Sequence, residues 1–332
     1  MDRWRVLSLF PLPAEQIRPL LGDLPERVDL TMLLHPSVAA LHAALADAEL
    51  VLAAWQGTHP LPFDAAAVAA AGPSLAFVQQ PSVGTDSVDL DGLAARGVPV
   101  ANTAGANARS VAEWAVGATI CVARSMAWAD REIRAGGWPQ MDVVTRSLGE
   151  IACLRVGVLG FGAVGSLAAS LFAAWGCQVA YWSRHPRPEA PFPWLELPAL
   201  CARSDVLLLC LPLTPETRGL IGDAELGALP AGAIVVDVGR GGVLNPAALI
   251  AALDTGHLSG AALDVHPTEP LPPQDPLRTH DRVLLSPHAA GAAGQAVARV
   301  ISQAVANIRR VLDDEPVHDV VNGIAPTVTR RR

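Results

Sequence analysis

The sequence contains no lysine: all 24 of its basic side chains are arginine. That absence excludes Schiff-base chemistry, the P-loop lysine of G-x-x-x-x-G-K and a kinase-type lysine. Cationic tasks must fall to the planar arginine fork or to protonated histidine. Clustered positive charge is also scarce, with a net charge of -8 and one basic run, Arg330-Arg331-Arg332, read as a frayed tail. Sequence-independent nucleic-acid binding is therefore not expected. The five cysteines, at 121, 153, 177, 201 and 210, are odd in number and lack C-x-x-C spacing, so neither a disulfide framework nor a zinc site fits, and no metal is expected. Met1-Asp2-Arg3-Trp4-Arg5 has no apolar signal-peptide core. Charge-free stretches such as 114–123 are not read as the ~20-residue apolar helix a membrane span needs. A cytoplasmic protein without membrane contact is expected.

What is present is a repeated alternation of short Val/Leu-rich runs with longer Ala-rich amphipathic stretches. Residues 6–10, 50–54, 76–79 and 98–102 read as strands, with helical patterns at 36–46 and 89–96. A second strand series lies at 155–159, 178–182, 206–211, 233–238, 260–265 and 282–286. Its runs are apolar throughout, as expected of parallel strands covered on both faces. Two doubly wound α/β units follow. Between the series, 108–134 reads as one long helix that Ser110 can cap, with Glu113 three residues later. The helical pattern 295–313 comes too late to begin a domain. The expected organisation is one discontinuous domain, 1–101 plus 290–332, with a second domain, 102–289, inserted.

The run 156–159 leads into Gly160-Phe161-Gly162-Ala163-Val164-Gly165 and then an apolar helix, 166–175. Three glycines at this spacing permit a tight turn, backbone approach to a pyrophosphate, and close packing of helix on strand. Free N–H groups and the helix dipole favour the anion there. About 20 residues on, an NAD-preferring site places Asp or Glu on the ribose hydroxyls. Here the chain has Ser183-Arg184-His185-Pro186-Arg187 instead. With no carboxylate to repel a 2′-phosphate and two arginines to pair with it, NADP(H) is the expected cofactor and NAD(H) a possible substitute.

Arg240, Glu269 and His288 sit just beyond three strands of the second series, where doubly wound sheets bind ligands. Together they suit hydride transfer to a 2-oxo acid. Arginine binds the carboxylate bidentately and polarises the keto oxygen, histidine supplies the proton, and glutamate orients the imidazole and favours its protonated form. Taken singly, each has a structural reading: a surface ion pair, a polar loop residue and a satisfied interdomain histidine. The flanking Gly239, Gly241 and Gly242 suggest close ligand approach to Arg240. Trp55, after a strand end, is a candidate for the substrate side. Glu113 and Asp205 read as cap and surface groups.

The order G-x-G-x-x-G, Leu211-Pro212-Leu213-Thr214-Pro215-Glu216-Thr217, Arg-Gly, Asp-Val…Glu-Pro and Pro-His resembles the D-isomer-specific 2-hydroxyacid dehydrogenases, over about 82–288. The resemblance implies a Rossmann cofactor domain inserted into a flavodoxin-like substrate domain. It makes Arg240, Glu269 and His288 the catalytic set and gives the substrate carboxylate to the loop Ser82-Val83-Gly84. It places Asp264 on the nicotinamide amide and Pro212 in the cofactor cleft. Further cofactor contacts would come from Leu211, Thr217, Val238, Gly239, His288 and Gly291, beside Gly160, Gly162, Ala163, Val164, Gly165, Ser183, Arg184 and Arg187. A homodimer built on the helix at 110–134 is implied as well. The departures are Asp237 where the family usually has Asn, His266 in place of an aromatic, and 151–154 in place of a Gly-Lys-Thr-like run. The implied reaction is reduction of glyoxylate, hydroxypyruvate or a related 2-oxo acid to the D-2-hydroxy acid. The alternatives are a cofactor-sensing binding protein of the corepressor type and a dehydrogenase of a non-carboxylate anion such as phosphite.

Overall fold

The computed structural model describes residues 3–10, 24–34, 36–54 and 62–331. The chain divides into two compact units, 1–107 with 294–332, and 108–293, so the divisions fall a few residues beyond those expected.

In the first unit, strands β1 (Trp4–Ser8), β2 (Val28–Met32), β3 (Leu50–Leu52), β4 (Phe77–Gln79) and β5 (Val100–Ala101) form one parallel sheet in the order β2-β1-β3-β4-β5. This is the flavodoxin-like order. Alternate side chains leave opposite faces of each strand. Val6, Leu50, Leu52 and Phe77 pack against Ile301, Val305 and Ile308 of the helix Gly294–Leu312. Leu7, Val51, Val78 and Val100 pack against Leu41, Leu45, Val68 and Leu93 of the opposite helices. Those helices start where an oxygen caps them: Ser37 accepts from the Ala40 N–H (3.2 Å), Asp64 from Ala67 (3.0 Å) and Asp89 from Gly92 (2.9 Å). Truncating a side chain as enclosed as Leu45 costs about 2–5 kcal/mol.

The second unit holds β6 (Arg155–Leu159), β7 (Gln178–Trp182), β8 (Val206–Leu209), β9 (Ala233–Asp237), β10 (Leu258–Leu263) and β11 (Val283–Leu285), all parallel, in the order β11-β10-β9-β8-β6-β7. A parallel bridge from Tyr181 to Trp194 extends the sheet past β7. Counting Trp194 as a vestigial third strand, the order is 3-2-1-4-5-6 with one strand appended, the dinucleotide-binding order. The sheet is covered on both faces. Val156, Val158, Leu208 and Val236 meet Ala112, Ala115, Ala168 and Phe172 on one side, and Leu207, Leu209 and Val235 meet Leu200, Leu226 and Leu249 on the other.

Four expectations are corrected. Strand β2 was not anticipated, because Asp29 and Thr31 alternate with apolar residues on an edge strand instead of forming a continuous apolar run. The helix expected over 108–134 is two, Ala108–Ala123 and Met126–Arg134, broken at Ser125 with φ 50°. Ser110 is no cap: it is buried within the first helix, while Glu113 pairs with Arg109 at 3.3 Å. Arg330 and Arg331 are not frayed. Arg330 donates to both oxygens of Glu49 (2.7 and 3.0 Å), and Arg331 donates to the carbonyls of Arg96 and Gly97. Glu49 is 2% exposed, and burial works to raise its carboxyl. Hydrogen bonds from Arg330 and the Arg5 N–H, with both guanidinium charges, outweigh that and hold it below its ordinary value.

Candidate active site

The glycine turn joins β6 to the helix Ala163–Ala174, at the end of the strand on which the sheet order reverses, with β7 on one side of β6 and β8 on the other. Each glycine answers a different demand. Gly160 has φ 100°, and a Cβ there would sit 2.9 Å from the Cys210 backbone. A Cβ on Gly165 would fall 2.0 Å from the Gly160 carbonyl oxygen, so helix and strand meet only without it. At Gly162 a Cβ would meet nothing within 4 Å: the space in front of the helix is open. This is a cradle floored by first-turn N–H groups of Ala163, Val164 and Gly165, and it fits a pyrophosphate.

At the end of β7 the 183–187 loop is braced from within. The Trp194 indole N–H donates to the Ser183 carbonyl (2.9 Å), and the Ser183 hydroxyl donates to the His185 carbonyl (2.7 Å). The Tyr181 hydroxyl accepts from the Arg187 N–H (2.8 Å). Arg184 and Arg187 both reach solvent from this fixed loop. Glu216 was not anticipated here. Its carboxyl is held below the ordinary value first by the Thr214 hydroxyl and in part by Arg184, so a carboxylate from a separate turn lies within Coulombic reach of that arginine. That turn is knitted by Thr217, whose hydroxyl donates to the Pro212 carbonyl (2.7 Å) and accepts from the Thr214 N–H (2.7 Å).

Beyond β9, the segment Val238-Gly239-Arg240-Gly241 passes between two other backbones. A Cβ on Gly239 would fall 2.6 Å from the Leu211 carbonyl oxygen, and one on Gly241 1.9 Å from that of His266. These glycines thus permit a close approach of chain to chain, a demand beside the ligand approach first read from them. Arg240 is partly buried and donates through Nη1 to the Gly239 carbonyl (2.7 Å).

Glu269 and His288 come together directly: Glu269 Oε2 lies 2.8 Å from His288 Nδ1. The second carboxylate oxygen accepts from the His266 N–H at 3.0 Å. Burial works to raise the Glu269 carboxyl, but the His288 and His266 hydrogen bonds and the charge of both rings hold it below its ordinary value. His266 also places Nε2 2.9 Å from the Ser286 carbonyl, a polar task that explains an imidazole there. The His288 backbone is left-handed, with φ 55°. It is held there by Asp264, whose main-chain oxygen accepts the His288 N–H (2.8 Å). Asp264 Oδ1 accepts from the Ser286 hydroxyl (2.6 Å) and the Ala289 and Ala290 N–H groups (2.8 and 3.0 Å), just ahead of Gly291. Bracing the histidine loop is a role for Asp264 that sequence reasoning missed.

In the first unit, the loop at Ser82-Val83-Gly84 is likewise held by polar side chains. Gln80 donates to the Ser82 hydroxyl (2.8 Å), which donates to the Gly84 carbonyl (2.7 Å), and Asn102 donates to the Val83 carbonyl (2.8 Å). Gln80 and Asn102 carried no motif to mark them. Trp55 lies outside the described residues. Among the described residues no His/Cys/Asp/Glu cluster suits a metal, and no helix is long and apolar enough to cross a membrane.

Comparison with known proteins agrees with this layout. Residues 116–290 match the model of the D-isomer specific 2-hydroxyacid dehydrogenase NAD binding domain. The chain is 34% identical over 247 residues to a glyoxylate/hydroxypyruvate reductase of Arabidopsis thaliana, covering 74% of this chain and 76% of that one. It is also 34% identical over 316 residues to a D-3-phosphoglycerate dehydrogenase of Mycobacterium tuberculosis, covering 94% of this chain but 58% of that longer protein. Among solved structures, the NADPH-dependent glyoxylate/hydroxypyruvate reductase of Sinorhizobium meliloti in complex with NADP and malonate superimposes with a TM-score of 0.86 at 27% identity, covering 100% of both chains. The chain belongs to the D-isomer-specific 2-hydroxyacid dehydrogenases, oxidoreductases that act on CH–OH donors with a nicotinamide cofactor.

Proposed function

We propose that this member of the family is an NADPH-dependent reductase of small 2-oxo acids, of the glyoxylate/hydroxypyruvate type, forming the D-2-hydroxy acid. The observation that carries the reading is the 2.8 Å pairing of Glu269 with His288 Nδ1, which leaves Nε2 as the proton-exchanging nitrogen. A nicotinamide cofactor, held with its pyrophosphate on the Gly160–Gly165 turn, would supply the hydride. His288 protonates the keto oxygen, and Glu269 stabilises the imidazolium before transfer. Arg240 binds the substrate carboxylate and polarises the keto group. The carboxylate is further assigned, on the family resemblance, to backbone N–H groups around Val83 and Gly84.

The NADP(H) preference is supported by the exposed Arg184 and Arg187 on a braced loop, with Ser183 in place of an acidic residue. Cofactor contacts of Leu211, Pro212, Thr217, Val238, Gly239, Asp264 and Gly291 are carried over from the family pattern. A homodimer is supported by the stretch of Met126–Arg134 and Gln140–Arg146 with the turn between them, where Trp138 is 80% and Met141 72% exposed. A second copy would cover this face. The test is a panel of glyoxylate, hydroxypyruvate, 3-phosphohydroxypyruvate and bulkier 2-oxo acids, each with NADPH and NADH. Highest kcat/KM with NADPH and a small 2-oxo acid is expected. Equal use of NADH, or preference for the phosphorylated substrate, would overturn the respective assignment.

A further inference from the structure

Two buried carboxylates stand at the ends of adjacent strands. Asp237 closes β9 and Asp264 follows β10; Leu263 pairs with Asp237 in register, and the Asp264 N–H donates to the Asp237 main-chain oxygen at 3.0 Å. Each braces a loop that carries a reactive candidate. Asp264 holds the loop of His288 through three donors, whereas the Asp237 carboxylate accepts from one, the Gly239 N–H at 3.0 Å, immediately before Arg240. Asp237 is 1% exposed.

Resting on the reductase reading above, we propose that Asp237 is a positioning residue that holds a proton when the 2-oxo acid binds, and that its ionisation draws the Arg240 charge away from the substrate carboxylate. The charged and titratable groups near enough to act on Asp237 are Asp264, next along from β10 and bonded to it through the backbone, the Cys210 thiol at the end of β8, and Arg240 three residues on along its own loop. Burial, with the Asp264 charge, pushes the Asp237 carboxyl up to about 7 against the Gly239 N–H and Arg240. The protonated form still offers its carbonyl oxygen to the Gly239 N–H. The ionised form adds an anion on the far side of Gly239 from the Arg240 guanidinium, Asp237 holding its N–H and Arg240 its carbonyl, and that charge opposes the substrate carboxylate's claim on the guanidinium. By linkage, a substrate anion on Arg240 keeps the proton on Asp237.

The experiment is KM for glyoxylate from about pH 6 to about pH 8.5, in the wild type and in Asp237→Asn, whose amide keeps the acceptor for Gly239 and cannot ionise. Wild-type KM should rise roughly tenfold over this range relative to the variant, with kcat in constant ratio. His288 protonation enters both enzymes alike and cancels in that ratio. A variant-to-wild-type KM ratio that does not change with pH would overturn the proposal. Oxamate binding to the NADPH complex, followed by nicotinamide fluorescence, reads the same dependence without turnover, so failure of the reductase reading is seen separately. Should the amide not fold, Asp237→Ser, which keeps an acceptor and cannot ionise, gives the same comparison.

Discussion

Glu269 Oε2 accepts the hydrogen bond of His288 Nδ1 at 2.8 Å, while its other oxygen is fixed by the His266 N–H at 3.0 Å. The carboxylate is thus immobilised before it orients the imidazole. His288→Ala should lower kcat for reduction by roughly 10²–10⁴-fold, far more than it weakens NADPH binding. Glu269→Gln should give a smaller loss of kcat with the same affinity. Steady-state kinetics beside a fluorescence titration of NADPH checks both; unchanged turnover in His288→Ala removes it from the acid role.

Arg240 lies on a segment confined between the 210–211 and 266–267 backbones, so its fork is presented from a fixed base. Arg240→Lys should raise KM for the 2-oxo acid and lower kcat, because a point ammonium cannot replace a bidentate fork. Wild-type kinetic constants would show that Arg240 does not touch substrate.

For the cofactor, Arg184→Ala should raise KM for NADPH roughly tenfold while leaving KM for NADH nearly unchanged, since one charge-assisted pair to phosphate is lost. Glu216→Gln should act in the opposite sense, because its carboxylate lies within Coulombic reach of Arg184. Parallel titrations of the two cofactors separate these effects.

The C-terminal arginine carries a stability prediction. Arg330→Ala leaves the Glu49 carboxylate buried and short of a partner, and should cost about 3–5 kcal/mol in urea unfolding. Because the Glu49 carboxyl is held below its ordinary 4.5, the pair's contribution is present above that pH and is lost as pH falls through the depressed value. The variant should therefore lose part of the wild type's acid-side stability dependence. A stability equal to wild type would mean the ion pair is dispensable.

Asp237 has the opposite sign. Its folded value of about 7 lies above the ordinary 3.8, so its stabilisation is fully present below 3.8 and is lost as pH rises through about 7. The difference in unfolding free energy between wild type and Asp237→Asn should change by up to about 4 kcal/mol across that window. Melting curves of both proteins at several pH values measure it.

Much of this was legible in the sequence because parallel strands read as unbroken apolar runs: residues 155–159 and 178–182 coincide with β6 and β7. The glycine turn was equally plain: Gly160, with φ 100°, and Gly165, packed on the Gly160 carbonyl, admit no side chain, and Gly162 faces open space. Strand β2 was hidden by its edge position, where alternation with polar residues suffices. The braces were hidden for a different reason. Asp264, Gln80 and Asn102 act through side-chain contacts to loops brought near by the fold, and a single chain carries no local pattern for such contacts. Arg330 was misread because its partner, Glu49, is 281 residues away.

The most direct measurement is the initial rate of NADPH oxidation with glyoxylate and hydroxypyruvate, with chiral analysis of the product formed from hydroxypyruvate. NADPH should be consumed stoichiometrically, and the D-hydroxy acid alone should accumulate. A folded protein that binds NADPH yet oxidises it with no 2-oxo acid, or that forms the L product, would contradict the assignment.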